Sequence, residues 1–255
     1  MKFFVKMLMC FTLVFATSVV SMADTRVPVL LYHSVQPEVT PEADPEMHVS
    51  VDVFTEQLKA LKDNGYVAIT YDQYVDYVKN GTPIPEKSVI INFDDGYVDN
   101  YLYAYPVLKS MNMVATIFIL TDYVGIEVTP GYPHFTWEQA KEMEDSGIIK
   151  IESHTMSHPK IAEISYEETL REMRLSKYYI EKNLDKECKY MAYPNGIKNQ
   201  WTENVGIGAG YELMCKVGDS GSNGKDTNLY DIRRLTVSNE MSGGELIEYI
   251  ENNLY

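Results

Sequence analysis

Short runs of apolar residues alternate along the chain with segments in which apolar residues recur every three or four positions. The short runs predict buried strands, and the longer spacing predicts amphipathic helices. The predicted strands cover residues 27–32, 67–70, 88–92, 114–120, 148–152, 189–193, 211–216 and 232–237.

Four of the predicted helices begin with Ser or Thr followed three residues later by Gln or Glu. This is the capping-box pattern, in which the two side chains satisfy free backbone N–H groups. Gly81 predicts the end of the second helix, and Pro106 predicts a kink in the third. The predicted helices cover residues 53–62, 70–80, 100–111, 136–147, 165–184 and 199–209, and a last one follows Ser242.

Strands that alternate with helices predict βαβ units and a parallel sheet. Seven or eight such units in 255 residues predict an α/β fold with a closed or nearly closed barrel, and a doubly wound open sheet is the alternative. We find no internal repeat or linker, so residues 24–255 are predicted to form a single domain. In both folds the carboxyl ends of the strands hold the site.

Residues 1–23 have the pattern of a signal peptide. Lys2 and Lys6 precede an uncharged apolar run over residues 7–20, and Ser-Met-Ala at 21–23 fits a cleavage site. The run is shorter than a bilayer span, and no other segment is apolar enough to be one. We therefore expect a secreted or cell-surface protein without a transmembrane segment in its mature chain, with an uncleaved anchor as the alternative.

The three cysteines place few constraints on the fold. Cys10 lies in the predicted signal peptide, whereas Cys188 and Cys215 remain in the mature chain. In an oxidising compartment they could form a disulfide. Nothing in the sequence brings them together, so two buried thiols are favoured.

The formal net charge of −15 restricts the class of partner. An acidic chain repels phosphate backbones and anionic lipid unless it carries a local basic patch, and no Lys or Arg run forms one. We therefore predict no nucleic-acid partner.

Two candidate segments carry residues typical of metal hydrolases. The strand at 88–92 runs into Asp94, Asp95 and Gly96, where adjacent carboxylates can diverge, although such a pair before Gly is also a common turn. His154 and His158 follow the strand at 148–152. On one helical turn they would face the same way and could bind zinc, whereas the alternative is a polar surface.

Two further segments lie at predicted strand ends. His33 follows the first strand and could donate a proton, or it could simply close the strand. Asn195 lies in a Tyr-Pro-Asn-Gly turn that could direct backbone N–H groups at an oxyanion, or be an ordinary turn. His48 and His134 are predicted to be surface loop residues.

Together these motifs resemble the polysaccharide deacetylase family, the carbohydrate esterases with a NodB homology domain. The segments Leu-Tyr-His33-Ser, Asn-Phe-Asp94-Asp95-Gly, His154-Thr-Met-Ser-His158, Tyr-Pro-Asn195-Gly and Arg-Arg234-Leu-Thr look most like its extracellular branch. That branch includes deacetylases of poly-β-1,6-N-acetylglucosamine. The resemblance extends from about residue 27 to about residue 250.

The resemblance implies a distorted (β/α)7 barrel and a role for each motif. It implies that Asp94 is the catalytic base, that His33 is the acid, and that the backbone N–H of Asn195 belongs to the oxyanion hole. It implies a divalent metal, most simply zinc with cobalt or nickel as options, on a triad of side chains. The residues of that triad are Asp95, His154 and His158.

Two departures from the wider family are shared by the extracellular branch. Ala192 stands where many members have an Arg that orients the base, and the chain has no His after His158. Arg234 is a candidate replacement for the missing guanidinium, and the alternative is an exposed charge at the rim of the barrel.

The implied function is a secreted, metal-dependent N-deacetylase acting on an N-acetylated polysaccharide. The alternatives are an O-acetyl carbohydrate esterase, for example one acting on acetylxylan, a catalytically degraded glycan-binding module, and a structural domain with coincidental motifs. Several aromatic residues are candidate sugar contacts, although core or rim packing is the commoner use. They are Tyr97, Tyr132, Trp137, Tyr193 and Trp201.

Overall fold

The computed structural model describes residues 24–40, 42–218 and 223–254. The predicted signal peptide, including Cys10, lies outside the described residues, as does part of the loop before the last strand.

The described residues contain twelve strands, eight of which belong to one sheet. They are β1 (Val29–Tyr32), β2 (Ser34–Gln36), β3 (His48–Ser50), β4 (Val67–Ala68), β5 (Ser88–Phe93), β6 (Ala115–Ile119), β7 (Glu127–Thr129), β8 (Tyr132–Pro133), β9 (Ile149–Ser153), β10 (Tyr190–Ala192), β11 (Leu213–Val217) and β12 (Ile232–Thr236).

Within the described residues, seven α-helices connect these strands. They are α1 (Val51–Asp63), α2 (Tyr71–Asn80), α3 (Tyr105–Met111), α4 (Trp137–Asp145), α5 (Tyr166–Leu184), α6 (Gln200–Gly208) and α7 (Gly243–Asn252).

The main sheet closes into a parallel barrel. Its seven-strand ring runs β1, β12, β11, β10, β9, β6 and β5, and β5 returns to β1. The closing pairs include Leu30 opposite Leu235 on one side of β1 and Leu31 opposite Asn92 on the other. β4 lies outside the ring on β5. The predicted barrel is therefore confirmed, and the open sheet is excluded.

Alternation along each strand divides the core into two layers. Leu30, Ile91 and Met214 belong to a buried cluster that also contains Phe54 of α1 and Ile180 of α5. Side chains one position away belong to a second cluster. Successive strand residues face opposite sides of the sheet, so the first cluster lies between barrel and helices and the second fills the barrel. The second cluster includes Val29, Ile90, Phe118, Leu213 and Ile232, with Tyr71 and Tyr74 of α2.

The helix starts follow the capping chemistry. Thr70, Thr136, Ser165 and Ser242 each form the predicted capping box. α6 has a fifth box, on Asn199 and Thr202, which the Ser/Thr pattern did not include. Gly81 ends α2 with a left-handed φ of 75°, as predicted.

Pro106 lies inside a helix that changes type. Residues Asn100–Ala104 form a π-helical turn that continues directly into α3, and the Tyr105 N–H donates to the Asn100 carbonyl across the junction. A proline in a helix removes one backbone N–H, and the π-helical turn is the local irregularity that precedes it here. The predicted helix over 100–111 is therefore present, with a π-helical turn before Pro106.

The sequence pattern did not predict two small sheets, because their strands are short and carry no apolar run. β2 pairs with β3 in parallel, and β7 pairs with β8 in an antiparallel hairpin. His48 begins β3 and is half-buried. His134 is only 7% exposed, and its backbone pairs with that of Tyr97 in an isolated β-bridge. Its predicted surface position is therefore wrong.

Cys188 and Cys215 are both buried free thiols, which confirms the favoured prediction. Over the described ranges, no helix combines the length and the apolar character needed to cross a membrane.

Candidate active site

A cavity of about 360 Å³ opens at the carboxyl ends of the barrel strands. All six residues singled out in the sequence line it, together with side chains of the loop before β3 and of β11 and β12. The six are His33, Asp94, Asp95, His154, His158 and Asn195.

A sharp turn after β5 separates the two adjacent carboxylates. Asp94 still pairs through its N–H with the carbonyl of Tyr32 (3.1 Å), whereas Asp95 has a left-handed φ of 71°. Gly96 continues the turn at φ 85°, and a Cβ there would lie 3.0 Å from Ile119 Cγ2. The turn directs Asp94 toward Arg234 and Asp95 toward His158, while both carboxylates lie 3.7 Å from His154 Nε2.

Asp95, His154 and His158 form a candidate metal triad. Asp95 Oδ1 lies 3.7 Å from His154 Nε2 and 3.9 Å from His158 Nε2. One ligand atom from each of the three residues lies within 4.8 Å of the others. Two imidazoles and a carboxylate are a common donor set for a catalytic zinc ion, so the residues fit such an ion.

A second contact orients His154 for this role. Its Nδ1 lies 2.9 Å from the carbonyl of Ala192 on β10 and donates to it, which leaves the lone pair on Nε2. Burial lowers the pKa of His154, while Asp94 and Asp95 raise it, and the net direction is down. A neutral imidazole is the form that ligates a metal.

The two histidines do not lie on a helical turn, which is the arrangement that a spacing of four would have allowed. Residues 154–158 form a loop after β9, in which Thr155 (φ 73°) and His158 (φ 59°) are left-handed. Each such conformation costs about 1–3 kcal/mol and persists only where the surroundings fix it. The pair converges through this loop geometry rather than through helical spacing.

Arg234 of β12 holds the carboxylate of Asp94 from inside the barrel. Nη1 donates to Oδ1 (2.6 Å) and Nη2 donates to Oδ2 (2.7 Å) in a two-pronged contact. The arginine is fully buried, lies 5.7 Å from the ring centre of Phe118, and donates through Nε to the Lys216 carbonyl (3.2 Å). The alternative of an exposed rim charge is wrong.

This contact keeps Asp94 ionised. Burial by itself would raise the pKa of Asp94, but the charge and the hydrogen bonds of Arg234 outweigh it and lower the pKa to about 2. Each carboxylate oxygen has a second acceptor position, so Asp94 can still accept a proton from a molecule in the cavity.

His33 lies between β1 and β2, and its backbone is held by the turn that follows Gly96. Asn100 Nδ2 donates to the His33 carbonyl (2.8 Å). Asp99 accepts from the Ser34 hydroxyl (2.5 Å) and from the Val35 N–H (3.3 Å). The imidazole is held less firmly, since its buried Nδ1 has no hydrogen-bond partner among the described residues.

Asn195 occupies a 3₁₀ turn, Pro194–Gly196, with a left-handed φ of 56°. Gly196 must be small, because a Cβ there would lie 2.5 Å from the backbone nitrogen and side chain of Val217. The predicted tight turn is thus present, and Asn195 lines the cavity.

The candidate aromatic contacts separate into two groups. Tyr97 and Tyr132 belong to a ring cluster with His48 and His134, in which neighbouring ring centres are 5.1–5.9 Å apart. Burial and the neighbouring Asp95 carboxylate raise the pKa of the Tyr97 hydroxyl. The remaining candidates pack into or against the core: Tyr193 is fully buried, and Trp137 and Trp201 are partly buried.

Residues 81–214 match the polysaccharide deacetylase family. The chain belongs to this family. YxkH of Bacillus subtilis is 34% identical over 227 residues, which cover 89% of this chain and 77% of YxkH. The poly-β-1,6-N-acetyl-D-glucosamine N-deacetylase of Staphylococcus aureus is 31% identical over 75% of this chain and 68% of its own.

A solved structure is similar over most of this chain. The Streptococcus pyogenes deacetylase PplD, in complex with acetate, superposes with a TM-score of 0.80 and 27% identity. The match covers 89% of this chain and 99% of that one. The barrel expected from the resemblance is therefore the fold of this chain.

The sequence did not predict three residues that hold the loops of the site. Asp99, Asn100 and Glu172 are acidic or amide side chains that contact site loops from helical turns. Glu172 offered a signal: it lies among buried positions of α5, where Thr169, Met173 and Ser176 face inward. An acid on a buried helix face requires hydrogen-bond partners.

Proposed function

We propose that this chain is a secreted, metal-dependent N-deacetylase that removes acetyl groups from N-acetylglucosamine residues of an extracellular polysaccharide. One arrangement carries the proposal. A triad of metal-ligand type, an ionised carboxylate held by a buried arginine, and a histidine line the same cavity.

The residues divide the reaction between them. Asp95, His154 and His158 would hold a divalent ion, which would supply Lewis acidity and lower the pKa of water. Asp94 accepts the proton of the attacking water, and its contact with Arg234 keeps the carboxylate oriented and ionised.

The remaining residues act on the acetamide. The backbone N–H of Asn195 donates to the oxygen that gains negative charge as water attacks the carbonyl carbon. The C–N bond then breaks, and His33 donates a proton to the departing nitrogen, which is a poor leaving group as an anion. The products are acetate and a free amine.

Two comparisons support the substrate class. The Staphylococcus aureus relative is named for poly-β-1,6-N-acetyl-D-glucosamine, and the PplD structure contains acetate, which deacetylation releases. Zinc is the metal we propose, because two imidazoles and one carboxylate suit it, with cobalt and nickel as substitutes.

The first experiment measures metal content by mass spectrometry and acetate release from β-1,6-linked N-acetylglucosamine oligomers, with and without a chelator. We expect about one metal per chain, acetate release that the chelator abolishes, and an Asp94→Asn variant that keeps metal but loses turnover. If the protein binds metal and releases acetate from an O-acetyl ester but not from the amide, the substrate is the ester and not the N-acetyl sugar. Wild-type turnover in Asp94→Asn would overturn the assignment of the base.

A further inference from the structure

The loop that carries the two histidines has an energetically unfavourable backbone. Thr155 is left-handed although it is β-branched, and His158 is left-handed as well. Residues of this kind rarely adopt such angles unless the surrounding contacts impose them. The structure should therefore contain a partner that holds this loop, here called the histidine loop (residues 154–158).

The carbonyl side of the histidine loop is held by the segment after β6. Thr121 N–H donates to the Thr155 carbonyl (3.3 Å), and Asp122 N–H donates to the Met156 carbonyl (3.1 Å). The hydroxyl of Tyr123 donates to the Ser157 carbonyl (3.2 Å). These contacts leave the N–H groups at the tip of the loop to another partner.

Glu172 of α5 accepts from that N–H side. Its Oε2 accepts from the N–H groups of Met156 (2.8 Å) and Ser157 (3.0 Å), and its Oε1 accepts from the Ser157 hydroxyl (2.9 Å). All three donors lie between the two histidines in the sequence. One side chain therefore binds the middle of the segment whose ends carry the candidate metal ligands His154 and His158.

The surroundings of Glu172 make this use specific. The residue is only 9% exposed, and within the described parts of the chain no Lys or Arg forms an ion pair with its carboxylate. A buried carboxylate without a basic partner must be satisfied by hydrogen bonds. Among the described residues, the hydrogen bonds to this carboxylate all come from the histidine loop.

We propose that Glu172 is a positioning residue for the metal site, which it serves by fixing the histidine loop in its left-handed conformation. The proposal rests on the metal-binding part of the proposed function. Fixing the loop before metal arrives lowers the conformational cost of binding, so loss of Glu172 weakens metal affinity. Outer partners of metal ligands typically contribute about 10–100-fold in affinity.

The test compares zinc affinity by chelator competition in the wild-type chain and three variants. Glu172→Gln keeps the size but replaces one acceptor with an NH2 group facing N–H donors. Glu172→Asp keeps the charge on a stem too short to reach all three donors. Ser157→Ala removes one contact only. Glu167→Gln, on the exposed face of the same helix, is the control.

We expect a zinc Kd about 10–100-fold higher in Glu172→Gln, a clear rise in Glu172→Asp, a smaller rise in Ser157→Ala, and no change in Glu167→Gln. The thermal midpoint of each metal-free variant is measured alongside. A lower thermal midpoint with an unchanged zinc Kd in Glu172→Gln would mean that Glu172 only stabilises the fold. Wild-type affinity in Glu172→Asp would mean that charge acts without positioning, and either result overturns the proposal. If wild-type protein bound no zinc, cobalt or nickel, the metal site itself would be wrong.

Discussion

The two sides of the active-site cavity are held to different degrees. On the side of the base, both oxygens of Asp94 are bound by Arg234, and His154 Nδ1 is bound by the Ala192 carbonyl. On the side of the acid, Asn100 holds the backbone of His33, but Nδ1 of the ring has no partner in the described structure.

This difference corresponds to the order of the proposed chemistry. Water attack needs a base and a metal site in place before the substrate binds, because preorganised groups need no rearrangement as charge develops. Proton donation to the leaving amine needs a ring that can reach an atom supplied by the substrate. We therefore expect substitutions on the side of the base and on the side of the acid to lower different measured quantities.

The largest effect is expected from His154→Ala. Removing a ligand should weaken metal binding by more than the roughly 10–100-fold typical of an outer partner, and acetate release should become undetectable. Metal titration and an acetate assay measure both. His134→Ala, which removes another buried histidine outside the triad, is the control and should retain metal. Full metal binding by His154→Ala would contradict the triad.

The next largest effect separates the acid from the base. His33→Ala should lower turnover of the N-acetyl substrate by about 10²–10⁴-fold, the usual contribution of a general acid. It should affect a nitrophenyl acetate ester far less, because that leaving group departs without a proton. Metal affinity should not change. Equal losses on both substrates would mean that His33 does not act as the acid.

A smaller effect on turnover, with a large effect on stability, is expected at Arg234. Arg234→Ala leaves Asp94 buried without its cation, which should lower the free energy of unfolding by about 3–5 kcal/mol. Arg234→Lys keeps the charge but not the two-pronged contact. We expect Arg234→Lys to be more stable than Arg234→Ala, with a turnover still at least about tenfold below that of the wild type. Denaturant unfolding and the acetate assay measure the two quantities, and wild-type turnover in Arg234→Lys would show that the fork is dispensable.

The smallest effect concerns the support behind His33. Burial raises the pKa of Asp99 to about 6, although hydrogen bonds from Ser34 and Val35 oppose the rise. The native state thus binds a proton more tightly than the unfolded chain, whose Asp pKa is about 3.9. The contribution of Asp99 to stability therefore falls as pH rises from about 4 to 6.

Asp99→Asn cannot titrate, so the wild-type stability minus that of the variant should fall by up to about 3 kcal/mol between pH 4 and pH 7. Urea unfolding at the two pH values measures this difference. Metal affinity should stay unchanged, since Asp99 contacts the segment of the acid. A difference that does not vary with pH would show that Asp99 titrates normally.

Much of the fold could be predicted because local chemistry and the final structure agree. The capping boxes at Thr70 and Ser165 mark true helix starts, and the apolar run before Asp94 is β5. β7 and β8 could not be predicted in this way. They are only three and two residues long, and β7 is exposed at every position, so the hairpin contains no buried apolar run that a sequence pattern could detect.

The sequence motifs selected six residues that line one cavity, but they did not predict the geometry that unites them. A spacing of four between His154 and His158 suggested a helical turn, yet the loop turns through left-handed residues that Glu172 and residues 121–123 hold. The contact of Arg234 with Asp94 joins residues 140 apart in sequence. Such contacts depend on barrel closure, which no local pattern encodes.

The position of Arg234 on the strand that closes the barrel has a consequence for biosynthesis. β12 is the last barrel strand in chain order, and it pairs with β1, the first. Synthesis proceeds from the N-terminus, so a nascent chain that ends before residue 232 already contains the metal triad and Asp94 but lacks the cation that holds the base. Ring closure and the contact that holds Asp94 therefore form in one step, and a chain cleaved before β12 would carry every other proposed catalytic group without that contact.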